Sequence, residues 1–398
     1  GMICGQVVPA GAGDDLRERY AVSSLTAHLS SDKDETRKRE WEKQCIRYMT
    51  LATDREVRSF FMRQLNLTGS DQAVESLKEW VLSPEMCDDA VIALQSIGTE
   101  TATDLLASSL TAAECPCAAQ VMVALAETEP GSTIDTYKQW YGRGSVDEKS
   151  AALYAMATTG APEAAVILTE AAVAAGYRWD QTGAVKALLL YAKRIGLAGD
   201  VKRMERITSQ VIEASRTVET SNQRLAAMSV ITTVKGSGAL GMLLEAAGDP
   251  DAAIRGGALR LAAGIPGADA TKKWISRYAK VSPEAKPGML FMLGERGDEL
   301  ALPLIMKALD DPSRDVSGAA LAALARLQGK KAVDPILAWI VRYDSEEGHR
   351  AAANALTTIL DSTGMVRVAE TLPGSSGQAT VTLIRLLAWS GEIGRAHV

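Results

Sequence analysis

About every 30 residues the chain returns to one pattern, in which an apolar helix is followed by a glycine-containing turn and a second apolar helix. The clearest copy covers residues 309–343. Its first helix is predicted to begin with Asp311 as the cap and Pro312 as the first residue, and to end at Gly329. In both helices the apolar residues recur at the helical period: Val316, Ala319, Ala320, Ala323, Leu324 and Leu327, then Val333, Ile336, Leu337 and Ile340. A hairpin this short cannot bury its own apolar faces, so it requires similar neighbours.

The turns recur along the chain at intervals of about 29 to 40 residues. They are predicted near Gly69, Gly98, Pro130, Gly160, Gly196, Gly236, Gly267, Gly297, Gly329, Gly364 and Gly394. Aromatic residues make up only 5% of the chain, and the alternation of branched and polar residues that marks strands is scarce. We therefore predict an all-α fold, a right-handed α-solenoid of about eleven helical hairpins.

Two stretches carry a family resemblance: GDPDAAIRGGALRLAAG at 248–264 and DDPSRDVSGAALAALARLQGKKAVDPIL at 310–337. They resemble HEAT repeats of the short, Ala-rich kind, and the resemblance is clearest over 236–398. It implies that the second helices line a concave surface. It also implies an internal ladder of basic residues, which Arg255 matches directly and Arg58, Lys149 and Arg224 match by weaker alignment.

The predicted organisation is a flexible N-terminal segment at 1–30 followed by a single solenoid domain at 31–398. An irregular stretch near 172–183 interrupts the repeats and predicts a loop insert. The last ten residues align with the middle of an earlier repeat, which predicts that the final repeat is truncated and that the natural chain is longer and multidomain.

Charge and hydropathy exclude several partners. A net charge of −6 and a pI near 5.4 argue against binding nucleic acid, which requires a basic surface. No apolar run approaches the ~18 residues that span a bilayer. Ala10 and Ala12 have the spacing of a signal-peptidase site, so the N-terminus is either a native cytoplasmic start or the trimmed end of an export signal. We favour an exported or periplasmic location over a cytoplasmic one.

The cysteines are odd in number and irregularly spaced: Cys4, Cys45, Cys87, Cys115 and Cys117. A disulfide framework is therefore not expected. Cys115 and Cys117 form the one close pair, and no second Cys or His cluster completes a set of four metal ligands. We predict structural thiols, with no metal and no cofactor.

No catalytic constellation emerges from the sequence. The three histidines, His28, His349 and His397, are far apart and form no metal-binding pair. Nucleophile-elbow, Walker and dinucleotide-binding motifs do not occur between a strand and a helix. We therefore predict that the chain is not an enzyme.

The best candidates for a ligand surface are aromatic and arginine residues that recur in second helices. WISRY at 274–278 and WIVRY at 339–343 are near copies, and WYGR at 140–143 is a looser one. Trp and Arg at i and i+3 share a helix face, where the guanidinium can stack on the indole. The candidate ligand-binding residues are Trp140, Arg143, Trp274, Arg277, Tyr278, Trp339, Arg342 and Tyr343. The alternative is that these tryptophans belong to the core between repeats.

Two further features could belong to a binding surface. The chain has no Lys or Arg from Trp80 to Tyr137, where its acidic residues are Glu85, Asp88, Asp89, Glu100, Asp104, Glu114, Glu127, Glu129 and Asp135. From Arg178 to Arg216 basic residues outnumber acidic ones, and such segregation can steer a charged partner or simply mark solvated helices. The loop insert carries Tyr177, Arg178 and Trp179, and it could bind a ligand or fill a bend.

These observations favour a non-catalytic interaction scaffold whose concave face holds a protein partner or another domain of the same chain. The alternative is an accessory carbohydrate-binding module of a hydrolase, which would use the recurring tryptophans. A HEAT-like DNA glycosylase or chromophore lyase is less favoured, because a glycosylase needs a basic groove around its extruded base.

Overall fold

The structure is a computed structural model that describes residues 3–112, 114–128 and 134–396, with side chains described as far as Trp389. The predicted turn at Pro130, the acidic residue Glu129 and His397 lie outside these ranges. Every regular element within them is helical, which confirms the all-α prediction. The chain divides into two compact units, Gly1–Ala214 and Ser215–Val398.

Among its described residues, unit 1 contains twelve α-helices. They are α1 (Leu16–Ser30), α2 (Glu35–Leu51), α3 (Arg55–Thr68), α4 (Asp71–Leu77), α5 (Cys87–Ile97), α6 (Glu100–Thr111), α7 (Ala118–Thr128), α8 (Ile134–Arg143), α9 (Val146–Thr159), α10 (Pro162–Ala174), α11 (Ala184–Leu197) and α12 (Val201–Ala214). Helices α3, α5, α7, α9 and α11 pack side by side in one layer, and α4, α6, α8 and α10 each pack on the helix that follows. Unit 1 is thus a stack of helix pairs, as an α-solenoid requires.

Unit 2 repeats this arrangement, with eleven α-helices in the part that the structure describes. They are α13 (Ser221–Lys235), α14 (Leu240–Ala246), α15 (Ala252–Ala263), α16 (Ala268–Tyr278), α17 (Lys286–Arg296), α18 (Leu302–Ala308), α19 (Arg314–Gln328), α20 (Val333–Arg342), α21 (Glu346–Thr357), α22 (Ser362–Thr371) and α23 (Gly377–Ala396). The odd-numbered helices form one layer, and each even-numbered helix packs on its successor. The α-solenoid prediction is confirmed, whereas its handedness and the count of eleven hairpins stay predictions.

Small residues let the odd-numbered helices of unit 2 approach closely. A Cβ atom added to Gly294 of α17 would lie 2.8 Å from the Cα atom of Ala323 in α19. A Cβ atom on Gly318 would meet the Cβ atom of Ala351 in α21 at 3.5 Å. The Ala- and Gly-rich composition therefore serves the contact between successive first helices, where larger side chains would hold the backbones apart.

Helix α19 confirms most of the predicted hairpin and corrects its start. It begins at Arg314 rather than Pro312, because the Asp311 carboxylate accepts a hydrogen bond from the Ser313 N–H (2.9 Å) and holds residues 311–313 in a turn. It ends where predicted, and Gly329 has a φ of +53°. Leu321 and Ala325 are buried outside the predicted stripe, since α19 lies between α17 and α21 and so has two buried sides.

The predicted turn glycines are partly confirmed. Those with positive φ at a helix end are Gly98, Gly160, Gly236, Gly267, Gly297 and Gly329. Gly196, Gly364 and Gly394 themselves lie inside α11, α22 and α23, although α11 ends one residue after Gly196 and α22 begins two residues before Gly364. After α11 the chain turns at Gly199, which has a φ of +107°.

Helix α1 occupies half of the segment that the sequence predicts as flexible. It is held to α3 by Arg19, whose guanidinium donates two hydrogen bonds of 2.7 Å to the Glu56 carboxylate and one of 2.8 Å to the Val8 carbonyl. The sequence prediction missed this helix, because the apolar residues of α1 are few and its anchor is a long-range ion pair.

One disulfide corrects the expectation for the cysteines. Cys87 and Cys117 are bonded, although Cys115 and Cys117 are the close pair in the sequence. The bonded residues are 30 positions apart and stand at the starts of α5 and α7, which pack side by side. The repeat period, rather than local spacing, brings them together. Among the described cysteines, Cys4, Cys45 and Cys115 are buried free thiols.

Residues Val218–Ala246 are long and apolar enough, by length and composition, to cross a membrane. They do not form one continuous α-helix, because α13 ends at Lys235, Gly236 has a φ of +53°, and α14 begins at Leu240. A single stretch of this kind is weak evidence for a membrane span.

Candidate functional site

The recurring tryptophans lie in the core. Trp140, Trp274 and Trp339 are 6%, 0% and 7% exposed. The Nε1–H of Trp140 donates to the Leu110 carbonyl (3.2 Å), and that of Trp339 donates to the Leu309 carbonyl (2.9 Å). Both acceptors lie at the end of the second helix of the preceding pair, where carbonyl groups lack a partner within their own helix. The indoles therefore join successive repeats, and their buried faces offer no surface to a ligand.

The Arg and Tyr residues beside these tryptophans lie at the edge of the core. The guanidinium of Arg143, which is exposed, lies 4.3 Å from the centroid of the Trp140 ring, as the i, i+3 spacing predicts. In the WIVRY repeat the ring that stacks on Trp339 is instead that of Tyr343, with centroids 4.9 Å apart. Of the predicted residues, the arginines and Tyr343 are thus the ones that reach solvent.

The WIVRY repeat holds a carboxylate of its own. Tyr343 donates from its hydroxyl to Asp310 Oδ1 (2.6 Å), and Arg342 Nη1 lies 3.4 Å from the same oxygen. The hydrogen bond to Asp310 raises the pKa of Tyr343 by favouring its protonated form. Asp310 opens the turn that precedes α19, so this site joins the two ends of one helix pair.

The WISRY repeat lacks this carboxylate. Aligning GDP (248–250) with DDP (310–312) places Gly248 where Asp310 stands. A Cβ atom added to Gly248 would lie 2.7 Å from Arg277 Nη2, so the guanidinium lies over the glycine. Arg277 Nε and Trp274 Nε1 are both buried without a hydrogen-bond acceptor in the described part of the chain. The sequence pattern indicates Arg277 and Trp274 but not Asp310 and Gly248. These two residues occupy the same position of the GDP and DDP motifs, which are otherwise identical.

Tyr278 is buried and differs from its counterpart Tyr343. Its hydroxyl has no hydrogen-bond partner within the described residues, and it is 8% exposed. Burial, with a smaller contribution from the charge of Asp311, raises the pKa of Tyr278 to about 12. This side chain is part of the core between repeats rather than of a surface.

The basic ladder that the family resemblance implies is present in part. The Arg255 guanidinium donates to the carbonyls of Asp249 (2.8 Å) and Pro250 (2.9 Å), in the turn before its own helix. Arg58 donates likewise to the carbonyl of Ala52, six residues before it. Arg224 instead forms an ion pair of 2.7 Å with the carboxylate of Asp249 in the following repeat.

The loop insert projects one aromatic ring into solvent. Trp179 is 79% exposed, and Tyr177 has a φ of +53°, which residues other than glycine seldom adopt. The loop is fixed by Asp180, whose carboxylate accepts hydrogen bonds from the backbone N–H groups of Thr182 (2.9 Å) and Ala184 (3.0 Å). The predicted insert therefore exists between α10 and α11 and has a defined conformation.

Cys87, Asp88 and Cys117 bring atoms of metal-ligand type within 4.8 Å of one another. Both sulfur atoms are already used in the disulfide, and Cys117 Sγ lies 3.2 Å from Asp88 Oδ1. This group therefore acts as a covalent link between α5 and α7.

Comparison with known proteins identifies the repeat. A family profile described as HEAT repeats matches residues 271–357, from α16 to the end of α21. This part of the chain consists of HEAT repeats. The matched HEAT repeats include WISRY, WIVRY and the Asp310 site, and they lie inside the range in which the sequence resemblance is clearest. No curated protein sequence matches the chain.

Solved structures show likeness at low identity. Importin beta, crystallised in polyethylene glycol, is 12% identical with a TM-score of 0.45, and the match covers 96% of this chain and 62% of importin beta. Kap121p bound to Pho4p is 12% identical with a TM-score of 0.43, covering 93% and 49%. Human deoxyhypusine hydroxylase in complex with glycerol is 14% identical with a TM-score of 0.26, covering 73% and 96%. The chain spans less than two thirds of importin beta, and these likenesses concern the fold alone.

Proposed function

We propose that the chain is a non-catalytic scaffold that binds a protein partner, or another domain of its own chain, along the second helices of its repeats. The supporting observation is that the WISRY and WIVRY arginines recur at one position of the repeat and reach solvent. In unit 2, Arg277 and Arg342 stand at one position of two HEAT repeats, each three residues after a buried tryptophan.

Both arginines belong to helices whose tryptophans are buried, so the place of each helix in the stack is set by its core side. Helices α16 and α20 are separated by α18 in the order of the stack, so the two helices stand about 20 Å apart at 8–10 Å per layer. An extended polypeptide covers that distance with about six residues. Two arginines repeated at this spacing favour a partner with acidic side chains.

Site-specific photo-crosslinking tests this proposal. A photoreactive residue replaces the exposed Arg342 in one variant and the exposed Arg260 of α15, a first helix, in the control. In cells of the source organism we expect one discrete polypeptide, or the neighbouring domain, to be captured from position 342 and not from 260. Equal capture at both positions, or substrate turnover by the isolated chain, would contradict the scaffold.

A carbohydrate-binding role is the second candidate, and one exposed ring favours it. Sugar recognition requires an accessible aromatic face, and Trp179 offers one at 79% exposure. If this role is correct, titration with glycans changes the tryptophan fluorescence of the protein, and Trp179→Ala abolishes the change. A response that survives in the variant excludes the loop as the sugar site.

A further inference from the structure

Two HEAT repeats of unit 2 carry the same Trp, Arg and Tyr at the end of the second helix. In the filled copy, WIVRY, a carboxylate lies beside the arginine, whereas the open copy, WISRY, has none among the described residues and its tyrosine, Tyr278, is buried. In the filled copy the Asp310 carboxylate lies between Arg342 (3.4 Å) and the Tyr343 hydroxyl (2.6 Å). In the open copy the aligned residue is Gly248, which is exposed and carries no side chain. The chain itself thus shows which group fits beside an arginine at this position.

The open copy has donors without acceptors. Arg277 makes no hydrogen bond or ion pair with any described residue, and its Nε atom is buried. Trp339 donates to the carbonyl just before Asp310, but Trp274, which has no exposed surface, finds no such acceptor. The buried Nε–H of Arg277 costs free energy while it is unpaired, and a bound acceptor would recover part of that cost.

The neighbouring charges leave Arg277 without a counter-ion among the described residues. The turn at 248–251 is approached by three arginines. Arg224 is paired with the Asp249 carboxylate at 2.7 Å, and Arg255 donates to the Asp249 and Pro250 carbonyls. The Asp251 carboxylate caps α15 by accepting from the Ala253 N–H (2.8 Å), so it is already engaged.

We propose that the space over Gly248 is a binding site for a carboxylate side chain, Asp or Glu, supplied by the protein partner. The incoming carboxylate takes the place that the Asp310 side chain takes in the filled copy, and Arg277 is its main ligand. This inference rests on the proposed scaffold function and specifies the partner chemistry at one repeat. A planar carboxylate matches the guanidinium donors and is the group that the filled copy selects.

The test follows the Arg277 guanidinium by NMR in the full chain with isotope-labelled arginine. The probe is N-acetyl-aspartate N-methylamide, and the matched control is the asparagine analogue, which has the same shape without the charge. We expect a saturable shift of the Arg277 Nε–H resonance with the aspartate probe, at least fivefold weaker binding of the asparagine analogue, and no change at Arg342.

Two variants complete the test. Gly248→Asp supplies the carboxylate from within the chain, and its Cβ atom would meet only the mobile end of the Arg277 side chain at 2.7 Å. We expect it to shift the Arg277 resonance in the absence of probe and to abolish the response to the probe. Arg342→Gln, which removes the filled copy's arginine, is expected to leave the response at Arg277 unchanged.

Any of three results would overturn the proposal. The Arg277 Nε–H resonance does not shift when the aspartate probe is added, or it shifts equally with the asparagine analogue. In the third result it shifts more strongly with inorganic phosphate than with the aspartate probe. Failure of the carboxylate site can be distinguished from failure of the scaffold function. If crosslinking at position 342 captures a partner and Arg277→Gln does not weaken that capture, the scaffold stands and the carboxylate site is wrong.

Discussion

At the scale of single residues, several polar side chains of this chain connect one repeat with the next. Arg296 is the fullest example. Its guanidinium donates to the carbonyls of Ala262 (2.8 Å), Ile265 and Gly267 (3.2 Å), and its Nε donates to the Thr271 hydroxyl (3.2 Å). Burial lowers the pKa of Arg296. Ala262 lies in the last turn of α15, and Ile265 and Gly267 lie in the connection to α16, so one side chain of α17 holds the turn between the two preceding helices.

Tyr278 yields a prediction about pH. Its pKa is raised to about 12 from an ordinary value near 10, so between those values the unfolded chain releases a proton that the folded chain retains. The free energy of unfolding should therefore fall as the pH rises through this range. In Tyr278→Phe we expect the decrease in the free energy of unfolding that comes from this phenol to be absent. At pH 7 the free energy of unfolding should change by less than about 1 kcal/mol, because the hydroxyl has no hydrogen-bond partner to lose among the described residues.

Urea unfolding at pH 7 and at several values above pH 10 checks this prediction. Tyr343→Phe is the matched control, since it removes a hydroxyl that does donate to Asp310, and it should cost about 0.5–1.5 kcal/mol at pH 7. A parallel pH dependence in wild type and Tyr278→Phe would show that this phenol does not couple to folding.

Glu42 yields a second prediction at this scale. Its carboxylate on α2 is 1% exposed and accepts hydrogen bonds from the N–H (2.7 Å) and hydroxyl (2.8 Å) of Ser70 and from the N–H of Ala73 (3.1 Å). It thereby caps α4 from another helix and opposes the partial positive charge at that helix end. We expect Glu42→Gln to lower the free energy of unfolding by about 1–3 kcal/mol.

Chemical denaturation followed by circular dichroism measures this loss. Glu40→Gln on the same helix is the control, because Glu40 is exposed and pairs only with Lys43 at 2.8 Å. The control should stay within about 0.5 kcal/mol of wild type. Equal effects of the two substitutions would mean that the buried cap contributes nothing specific.

At the scale of helices, close contact between first helices depends on glycine. We expect Gly294→Ala to destabilise unit 2 by about 1–3 kcal/mol, because the new Cβ atom would lie 2.8 Å from the Ala323 backbone and α17 and α19 would have to separate. Gly241→Ala is the matched control in α14, where a Cβ atom meets nothing within 4 Å, and it should stabilise by about 0.5–1 kcal/mol. Thermal unfolding of both variants gives the comparison, and shifts of the same sign would refute it.

The sequence predicts the helices of this fold better than their ends or their partners. Apolar period alone is enough to place α19 and α20, since a buried stripe is a property of one helix. The start of α19 is missed by two residues, because a turn held by Asp311 competes with the cap that this residue could provide. Helix α1 is not predicted from the sequence for a different reason. Its packing depends on the ion pair between Arg19 and Glu56, which are distant in the sequence.

For the candidate site too, the sequence predicts the helix face but not what that face contacts. Spacing places Trp and Arg on one helix face, and Arg143 does stack on Trp140. Spacing does not tell whether that face points to solvent or to the preceding repeat, so the sequence is compatible with both a ligand-binding and a core position for the tryptophans. The hydrogen bonds of Trp140 and Trp339 to the preceding repeat place these two indoles in the core. The role of Gly248 depends on an absent side chain, and only the contrast with Asp310 reveals it.

At the scale of the whole molecule, each unit is held by contacts between neighbouring pairs, and unit 1 adds a covalent link. Closing a loop between residues 30 positions apart stabilises a chain by about 3–4 kcal/mol in the chain-entropy account. We expect reduction of Cys87–Cys117 to increase hydrogen exchange in α5 and α7, and to leave α19 and α21 unchanged because repeat arrays depend on near neighbours.

Hydrogen exchange with and without a phosphine reductant checks this, beside a Cys87→Ser/Cys117→Ser variant that should match the reduced protein. Cys45→Ser, which alters a buried free thiol, separates loss of the bond from loss of packing. Thiol counting by mass spectrometry should find three free cysteines before reduction and five after it. Five at the outset would show that the link does not form.

The indole hydrogen bonds constrain how such a chain can grow or shrink during evolution. Trp140 and Trp339 each reach a carbonyl 30 positions upstream. Duplicating or deleting a complete helix pair preserves that offset, so these two tryptophans still meet an acceptor in whichever pair now precedes them. An insertion of a few residues within a pair changes this offset, so the buried indole N–H no longer meets its carbonyl acceptor. Length variation among descendants of this gene should therefore come in whole pairs, or be confined to loops such as 175–183 that no indole spans.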